Sequence, residues 1–384
     1  MSTSELPAGP PADPVDGRTR IAVVFGGRSS EHGVSCLTAA DVIAALDPAR
    51  YDVVPVGIAL DGRWVLESSD RDRFRITAGR LPEVDGSGAE IALSTSAAGE
   101  LVVSQPGDVP RTLGQVDVVF PLLHGPWGED GTLQGLLELA GVRYVGAGVL
   151  ASAVGMDKEF MKITFAAAGL PQLPYAVVRP REWENDPAAV RETVAALGYP
   201  VFVKPARAGS SFGISRVESA DQLDDAIALA REHDPKVVVE AGAVGARELE
   251  CGVLQGVDGG PPDASVIGEI RLAADSPHLF YDFEAKYVDG TAVLEAPAQV
   301  PDDVSERLRS WAVTAFEAIG GEGLARVDFF MLGGGRLVVN EINTMPGFTP
   351  TSMYPRVWAA SGLDYAALVD RLVTAALRRG TGLR

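Results

Sequence analysis

"VDFFMLGGGRLVVNEINTMPG", residues 327–347, sets three glycines between two apolar runs, with Asp328 on the first run and Glu341 and Asn343 on the second. Such runs joined by Gly333, Gly334 and Gly335 read as a β-hairpin, because glycine supplies the positive φ angles of a tight turn. A two-residue Gly334-Gly335 loop puts Asp328 directly across from Glu341 and Arg326 across from Asn343. All four then share one face, since side chains alternate with period two. Carboxylates facing each other across a ladder destabilise it unless something positive lies between them. Asp, Glu and Asn offer the oxygen ligands that hard divalent cations take, usually with substrate phosphates completing the shell. Two alternatives stay open: a solvent face of ordinary polar residues, and a three-residue loop that breaks the pairing.

The chain around this hairpin has 384 residues, which at roughly 100 to 200 per domain gives two or three domains with ample core. A hydrophobic share of 46% fits a globular chain. With 33 Lys plus Arg against 52 Asp plus Glu, the net charge of −19 argues against nucleic acid or an anionic membrane surface as partner. Any phosphate must therefore be held by chosen local cations. Cys36 and Cys251 form no motif, so no disulfide framework is expected and the compartment reads as reducing. Cys36 falls on the apolar stripe Cys36, Ala40, Ile43, Leu46 and is expected in the core. The opening "MSTSELPAGPPADPVDG" lacks an apolar segment and reads as a disordered tail over 1–18 rather than a signal peptide. No apolar run reaches membrane-spanning length, and a cytoplasmic protein is expected.

Three units follow the tail, at 19–150, 151–240 and 241–384. "RIAVVFGG" reads as a buried strand, "RSSEHGVS" as a loop and Cys36 to Leu46 as a helix. "YDVVPVGIA" and "QVDVVFPLLHG" supply later strands, and "TLQGLLELAG" a helix stopped by Gly141. Strands alternating with helices imply an α/β class with a parallel sheet, whose ligands bind beyond the carboxyl ends of its strands. Residues 67–113 are polar and poorly periodic and read as weak hairpins or loops. The middle unit carries helix "PAAVRETVAALG", strand "PVFVKP", loop "ARAGSSFG", strand "ISRV" and helix "DQLDDAIALARE", the last with a Ser219 to Gln222 capping-box pattern. The third unit holds strands near "ELECGVL" and "SVIGEIRL", a long loop over 273–297, a helix over 303–319 and the hairpin.

Lys204 ends an apolar strand and precedes "PARAGSSFG", a loop whose backbone N–H groups and hydroxyls can face a phosphate while the lysine adds a point charge. It is not a P-loop, which needs G-x-x-x-x-G-K-S/T. Alone, it equally fits a surface lysine before a flexible turn. "MDKEFMK" sets Lys158 and Lys162 at helical spacing, and "FEAKY" places Lys286 and Tyr287 inside the long loop, where ordered segments tend to be lids or binding loops.

In their order these segments resemble the D-alanine–D-alanine ligases of the ATP-grasp superfamily. The resemblance spans nearly everything after the tail: "VFGGRSSEHGVS", "PLLHGPWGEDGTLQGLLEL", "MDKEFMK", "VKPARAGSSFG", "YDFEAKY", "RVDFF" and "NEINTMPGFTPTSMYP" follow in family order and spacing. It implies a substrate-binding α/β domain followed by central and C-terminal ATP-grasp subdomains, with 273–297 as a lid and 326–343 as the metal hairpin. Lys158, Lys204 and Lys286 would hold ATP phosphates under a flexible loop carrying Ser210 and Ser211. Glu240 and Glu248 would meet adenine and ribose, although "EAGAVGARE" is one residue longer than the usual family spacing. Asp328 and Glu341 would bind one Mg²⁺ or Mn²⁺, and Glu341 and Asn343 the second.

For the amino acids, the resemblance implies that Glu31 pairs with the ammonium of the first D-alanine and His124 lies near its carboxylate. Glu31, Ser210 and Tyr287 would form a hydrogen-bonded trio. Arg326 and the Gly347 N–H would hold the tetrahedral oxyanion, and Ser352 with the Met353 N–H the second carboxylate. Taken singly, His124 also fits a core histidine and Ser352 a turn residue. The implied reaction condenses two D-alanines through a D-alanyl phosphate, for peptidoglycan synthesis and cell-wall biogenesis, in a homodimer. Alternatives are a D-alanine–D-lactate ligase, against which Tyr287 speaks because it favours an amine acceptor, a D-alanine–D-serine ligase, and a non-catalytic nucleotide-binding homologue.

Overall fold

The computed structural model describes residues 17–68, 70–77, 80–94, 100–104, 109–209, 212–272 and 292–381. Ser210, Ser211, Lys286, Tyr287 and most of the expected lid lie outside this set.

The first sheet is built from β1 (Thr19–Gly26), β2 (Tyr51–Ile58), β3 (Trp64–Leu66), β4 (Glu90–Leu93), β5 (Glu100–Ser104), β6 (Arg111–Gln115), β7 (Val118–Pro121) and β8 (Arg143–Tyr144). Its order is β6-β5-β4-β3-β2-β1-β7-β8. β2, β1, β7 and β8 run parallel, while β3 to β6 form an antiparallel meander out of the segment that reads as weak hairpins. The apolar run of β1 is explained by burial on both faces. Ile21, Val23 and Phe25 join the core of α1 (His32–Ala45), and Ala22 and Val24 the core of α2 (Thr132–Leu139). α1 starts four residues before the expected Cys36, and both cysteines are free and buried.

After α3 (Val149–Met156) and α4 (Lys158–Ala167) come β9 (Tyr175–Val178), α5 (Pro180–Asn185), α6 (Pro187–Ala195), β10 (Val201–Pro205), β11 (Ser215–Val217), α7 (Leu223–Arg231) and β12 (Val237–Ala241). The four strands make an antiparallel sheet, β11-β10-β12-β9, packed against α6 and α7. The expected capping box is not formed: Ser219 Oγ turns to Asp221, and the Gln222 side chain accepts from the Glu218 N–H at 2.9 Å.

A third sheet has the order β15-β14-β13-β16-β17, from β13 (Arg247–Leu254), β14 (Asp263–Leu272), β15 (Ala292–Glu295), β16 (Leu324–Met331) and β17 (Leu337–Asn343). One face buries α4 and α8 (Asp302–Ala318). The other receives α9 (Met353–Ala360), which approaches closely because a Cβ at Gly268 would lie 2.4 Å from Met353 Sδ. α10 (Tyr365–Arg378) returns to the first sheet. The loop expected over 273–297 ends earlier, since Ala292–Glu295 pairs with β14. No described helix is long and apolar enough to cross a membrane.

The hairpin corrects one premise and keeps its consequence. Its loop is the three-residue Gly333–Gly335, with φ of 74° at Gly334 and 78° at Gly335, closed by a bond from the Leu332 N–H to the Arg336 carbonyl at 2.8 Å. That shifts the register near the turn, where Phe329 faces Val339. A bulge at Asn340 shifts it back. Asp328 therefore faces Glu341, and Arg326 faces Asn343.

Candidate active site

Three strands put three acids in one row, because Glu250 on β13 faces Asp328 on β16, which faces Glu341 on β17. The next row holds Arg326, whose Nε and Nη2 each donate to an Asp328 oxygen at 2.7 Å, with Nε also 3.1 Å from Glu250. Between the facing carboxylates Glu250 and Asp328 the positive charge is the guanidinium. Burial alone would disfavour its charge, but Asp328 and Glu250 more than offset this and hold Arg326 protonated. Asn343 Nδ2 donates to Asp328 at 3.1 Å. Among the described residues no three His, Cys, Asp or Glu side chains converge on one point. The row nevertheless fits a divalent cation by its chemistry: three carboxylates against one guanidinium leave surplus negative charge, and with the Asn343 amide every donor is oxygen.

A second cluster neutralises itself. Glu240 on β12 pairs with Lys162 of α4 and with Lys204 at the end of β10. Burial would raise this carboxyl, but the two ammonium groups hold it well below the ordinary range. Lys162 is 1% exposed, so its place in "MDKEFMK" is that of a buried counter-ion. Lys158 is also buried, which lowers its pKa, and its Nζ donates to the Ala208 carbonyl at 2.8 Å.

The glycine- and serine-bearing loop after β10 is tied down at its root. The Lys158 N–H donates to the Ala206 carbonyl, and the Ala206 N–H to that of Lys236. Arg207 makes a bidentate pair with buried Asp234, and Lys236 Nζ reaches both oxygens of Asp157, the N-cap of α4, at 2.7 Å. Further along the loop, a Cβ at Gly209 or at Gly125 would lie 2.7 Å from Glu31 Oε2. The Glu31 carboxylate is therefore seated between two backbones that side chains would push away.

One clamp went unread in the sequence. Glu129 accepts from the Gly125 N–H at 2.6 Å and from the Met345 N–H at 3.2 Å, while His124 Nδ1 lies 3.1 Å from the Met345 carbonyl. The segment leading to Gly347 is thus gripped at both backbone groups of one residue. Burial lowers the His124 pKa and favours neutral imidazole. The Glu129 carboxyl is pushed up to about 8, by burial first and then by the charge of Glu31. An acid raised in this way takes up protons on folding between its ordinary 4.5 and about 8. Its stabilisation is full below 4.5 and is lost as pH rises through about 8. In ligand-free protein, the urea midpoint of wild type should therefore fall relative to that of Glu129→Gln across this window. Parallel profiles would contradict the assignment. The amide accepts through one oxygen only, so E129Q should itself cost about 1–3 kcal/mol.

Two adjoining cavities collect these groups. One of about 190 Å³ is lined by Glu31, His124, Glu129, Lys158, Asn343, Gly347, Ser352 and Met353. The other, about 550 Å³, is lined by Phe202, Lys204, Glu240, Glu248 and Asp328. They meet at Glu250, Arg326 and Glu341. Every candidate side chain within the described residues lines one cavity or both. Glu129, Glu250 and Lys162 are the additions, and Glu250 had a signal: it follows Glu248 by two on one strand, hence on the same face.

Comparison with known proteins covers both ends of this arrangement. A family model described as D-ala D-ala ligase N-terminus matches residues 20–147, and one described as D-ala D-ala ligase C-terminus matches 164–374. The D-alanine--D-alanine ligase of Paenarthrobacter aurescens (strain TC1) is 59% identical over 373 residues, 97% of this chain and 98% of the relative. That of Streptomyces coelicolor is 55% identical over 399 residues, with all of both chains covered. Among solved structures, the VanG D-Ala:D-Ser ligase from Enterococcus faecalis aligns with a TM-score of 0.79 at 35% identity, covering 94% of this chain and 99% of the other. The D-alanine-D-alanine ligase from Coxiella burnetii aligns at 0.78 and 32%, covering 94% of each.

Proposed function

The chain belongs to the D-alanine–D-alanine ligase family, and from that premise we propose how its two joined cavities carry out the ATP-dependent condensation of two D-alanines. The observation that carries the reading is the junction at Arg326, Glu341 and Glu250. It lets a phosphoryl group held from the larger cavity reach a carboxylate seated in the smaller one.

A carboxylate is a poor acyl donor until one of its oxygens can leave. The first D-alanine's carboxylate attacks the γ-phosphorus of ATP, the bond from that phosphorus to the ADP oxygen breaks, and a D-alanyl phosphate forms. Lys158 and Lys204, on the two cavities' walls, hold the phosphates, with Lys286, Ser210 and Ser211 completing the set. Glu240 and Glu248 take adenine and ribose. Asp328, Glu341 and Asn343 would hold two Mg²⁺ or Mn²⁺ ions, which when bound neutralise charge on the transferring group. Glu31 receives the first ammonium and His124 the adjacent carboxylate, and Ser210 and Tyr287 are assigned with Glu31 to the hydrogen-bonded trio.

The second D-alanine, held at Ser352 and Met353, loses a proton from its ammonium and attacks the carbonyl. The tetrahedral oxyanion is met by Arg326 and the Gly347 N–H, and collapse breaks the bond from carbon to the phosphate oxygen, the phosphate leaving with the amine's second proton, and leaves the amide. Water would hydrolyse the acyl phosphate, so the chain between β14 and β15 is assigned as the cover. The product feeds peptidoglycan synthesis in the cytoplasm, a setting supported by two free buried cysteines. A homodimer belongs to the same proposal.

The test is product analysis with ATP and equimolar D-alanine, D-serine and D-lactate. D-Alanyl-D-alanine should dominate, with one ADP per dipeptide. A predominance of D-alanyl-D-serine would replace this acceptor assignment by that of the VanG D-Ala:D-Ser ligase while leaving the activation chemistry in place.

A further inference from the structure

We propose that Thr351, Thr349 and Ser352 form a directional chain of hydroxyls aimed at the acceptor's carboxylate, with Thr349 as a positioning residue for Ser352. The inference rests on the reading of Ser352 as the group that holds this carboxylate. Ser352 is the N-cap of α9, yet its side chain makes no capping bond, whereas a serine there ordinarily accepts from an N–H of the first turn. Its Oγ lies instead 2.8 Å from Thr349 Oγ1, which lies 3.1 Å from Thr351 Oγ1. All three residues line the smaller cavity. The turn does not need these contacts to hold its shape, because the Ser352 N–H already donates to the Thr349 carbonyl at 2.9 Å.

Proton counting fixes the direction. A carboxylate only accepts, and a serine hydroxyl has one proton to give. Ser352 must therefore donate to the substrate, so Thr349 donates to Ser352 and Thr351 to Thr349. Thr351 is exposed and can accept from water. Each O–H polarises the next, strengthening the last bond in a segment, "GFTPTSM", that contains no Lys, Arg or His. Because D-alanine, D-serine and D-lactate share the carboxylate, the chain governs acceptor affinity and not acceptor choice.

Initial rates of ADP release over a range of D-alanine concentrations give separate donor and acceptor KM values for the full chain. Thr349→Val, which keeps shape and deletes the hydroxyl, should raise the acceptor KM about fivefold to tenfold, the scale of one net hydrogen bond, with donor and ATP KM within about twofold of wild type. Thr349→Ser should restore it, and Thr351→Val should raise it about twofold to threefold. In a Ser352→Ala background, Thr349→Val should add nothing. If the two losses multiply instead, Thr349 does not act through Ser352 and the proposal fails alone. An unchanged acceptor KM in S352A would overturn the reading beneath it as well. A T349V protein that does not fold leaves T351V to decide: no rise in acceptor KM there defeats the chain.

Discussion

Glu341→Gln should purify as a folded protein and make essentially no dipeptide. The substitution keeps shape but removes one charge from the row Glu250, Asp328, Glu341. Arg326 stays balanced, because its bidentate partner is Asp328 and its other contact Glu250. The fold therefore loses little, while the surplus negative charge that suits the row to divalent cations falls. Loss of one fixed electrostatic partner at a reacting centre costs about 10²–10³ in turnover. A group shared by both ions should cost at least that. Coupled ADP release with D-alanine reads the effect, circular dichroism checks the fold, and a second measurement separates site from scaffold. ADP should bind wild type more tightly when Mg²⁺ is added, and E341Q should show little such gain. A folded E341Q with near-normal turnover would remove Glu341 from the metal site.

The hairpin shows how far sequence carries and where it stops. Apolar alternation and the glycines located it, and period two placed Arg326, Asp328, Glu341 and Asn343 on one face, as the ladder has them. The path to that pairing was wrong at two points that cancel: a third glycine in the loop and an extra residue at Asn340. Nothing in "LVVNEIN" marks a bulge, since bulges answer to the twist and packing of the finished sheet. The identity of the neutralising charge was also hidden. Arg326 stands between Glu250 and Asp328, and period two does not tell which neighbours a guanidinium reaches.

Groups joined across elements were harder still. Glu129 and Met345 are 216 positions apart, and only the folding of the first sheet against the third brings them together. Lys236, in a turn with no motif, becomes meaningful only beside Asp157 and Glu159. The strands of the first sheet were legible because burial on both faces leaves continuous apolar runs such as "IAVVF". The meander β3 to β6 was legible only as weak hairpins or loops, because its strands are short and partly exposed.

Glu240→Gln should be the most destabilising single substitution at the site. The carboxylate is 2% exposed and serves two ammonium groups, one on Lys162 at 1% exposure. Neutralising it leaves like charges facing each other away from water, and breaking a buried pair in this way costs about 3–5 kcal/mol. Lys162→Met should cost less, because Glu240 keeps Lys204 and the new side chain can still lie over the Tyr175 ring. The pH dependence has a definite sign. The folded carboxyl is held below its ordinary 4.5 by Lys162 and Lys204, against the effect of burial. Its stabilisation is therefore fully present above 4.5 and is lost as pH falls below that value toward the depressed folded one. Urea midpoints of wild type and E240Q should lie far apart at neutral pH and draw together on acidification below 4.5. A neutral-pH difference under about 1 kcal/mol, the scale of an exposed pair, would mean that water reaches the triad. Glu240 would then lose its part in setting where the Lys204 ammonium stands.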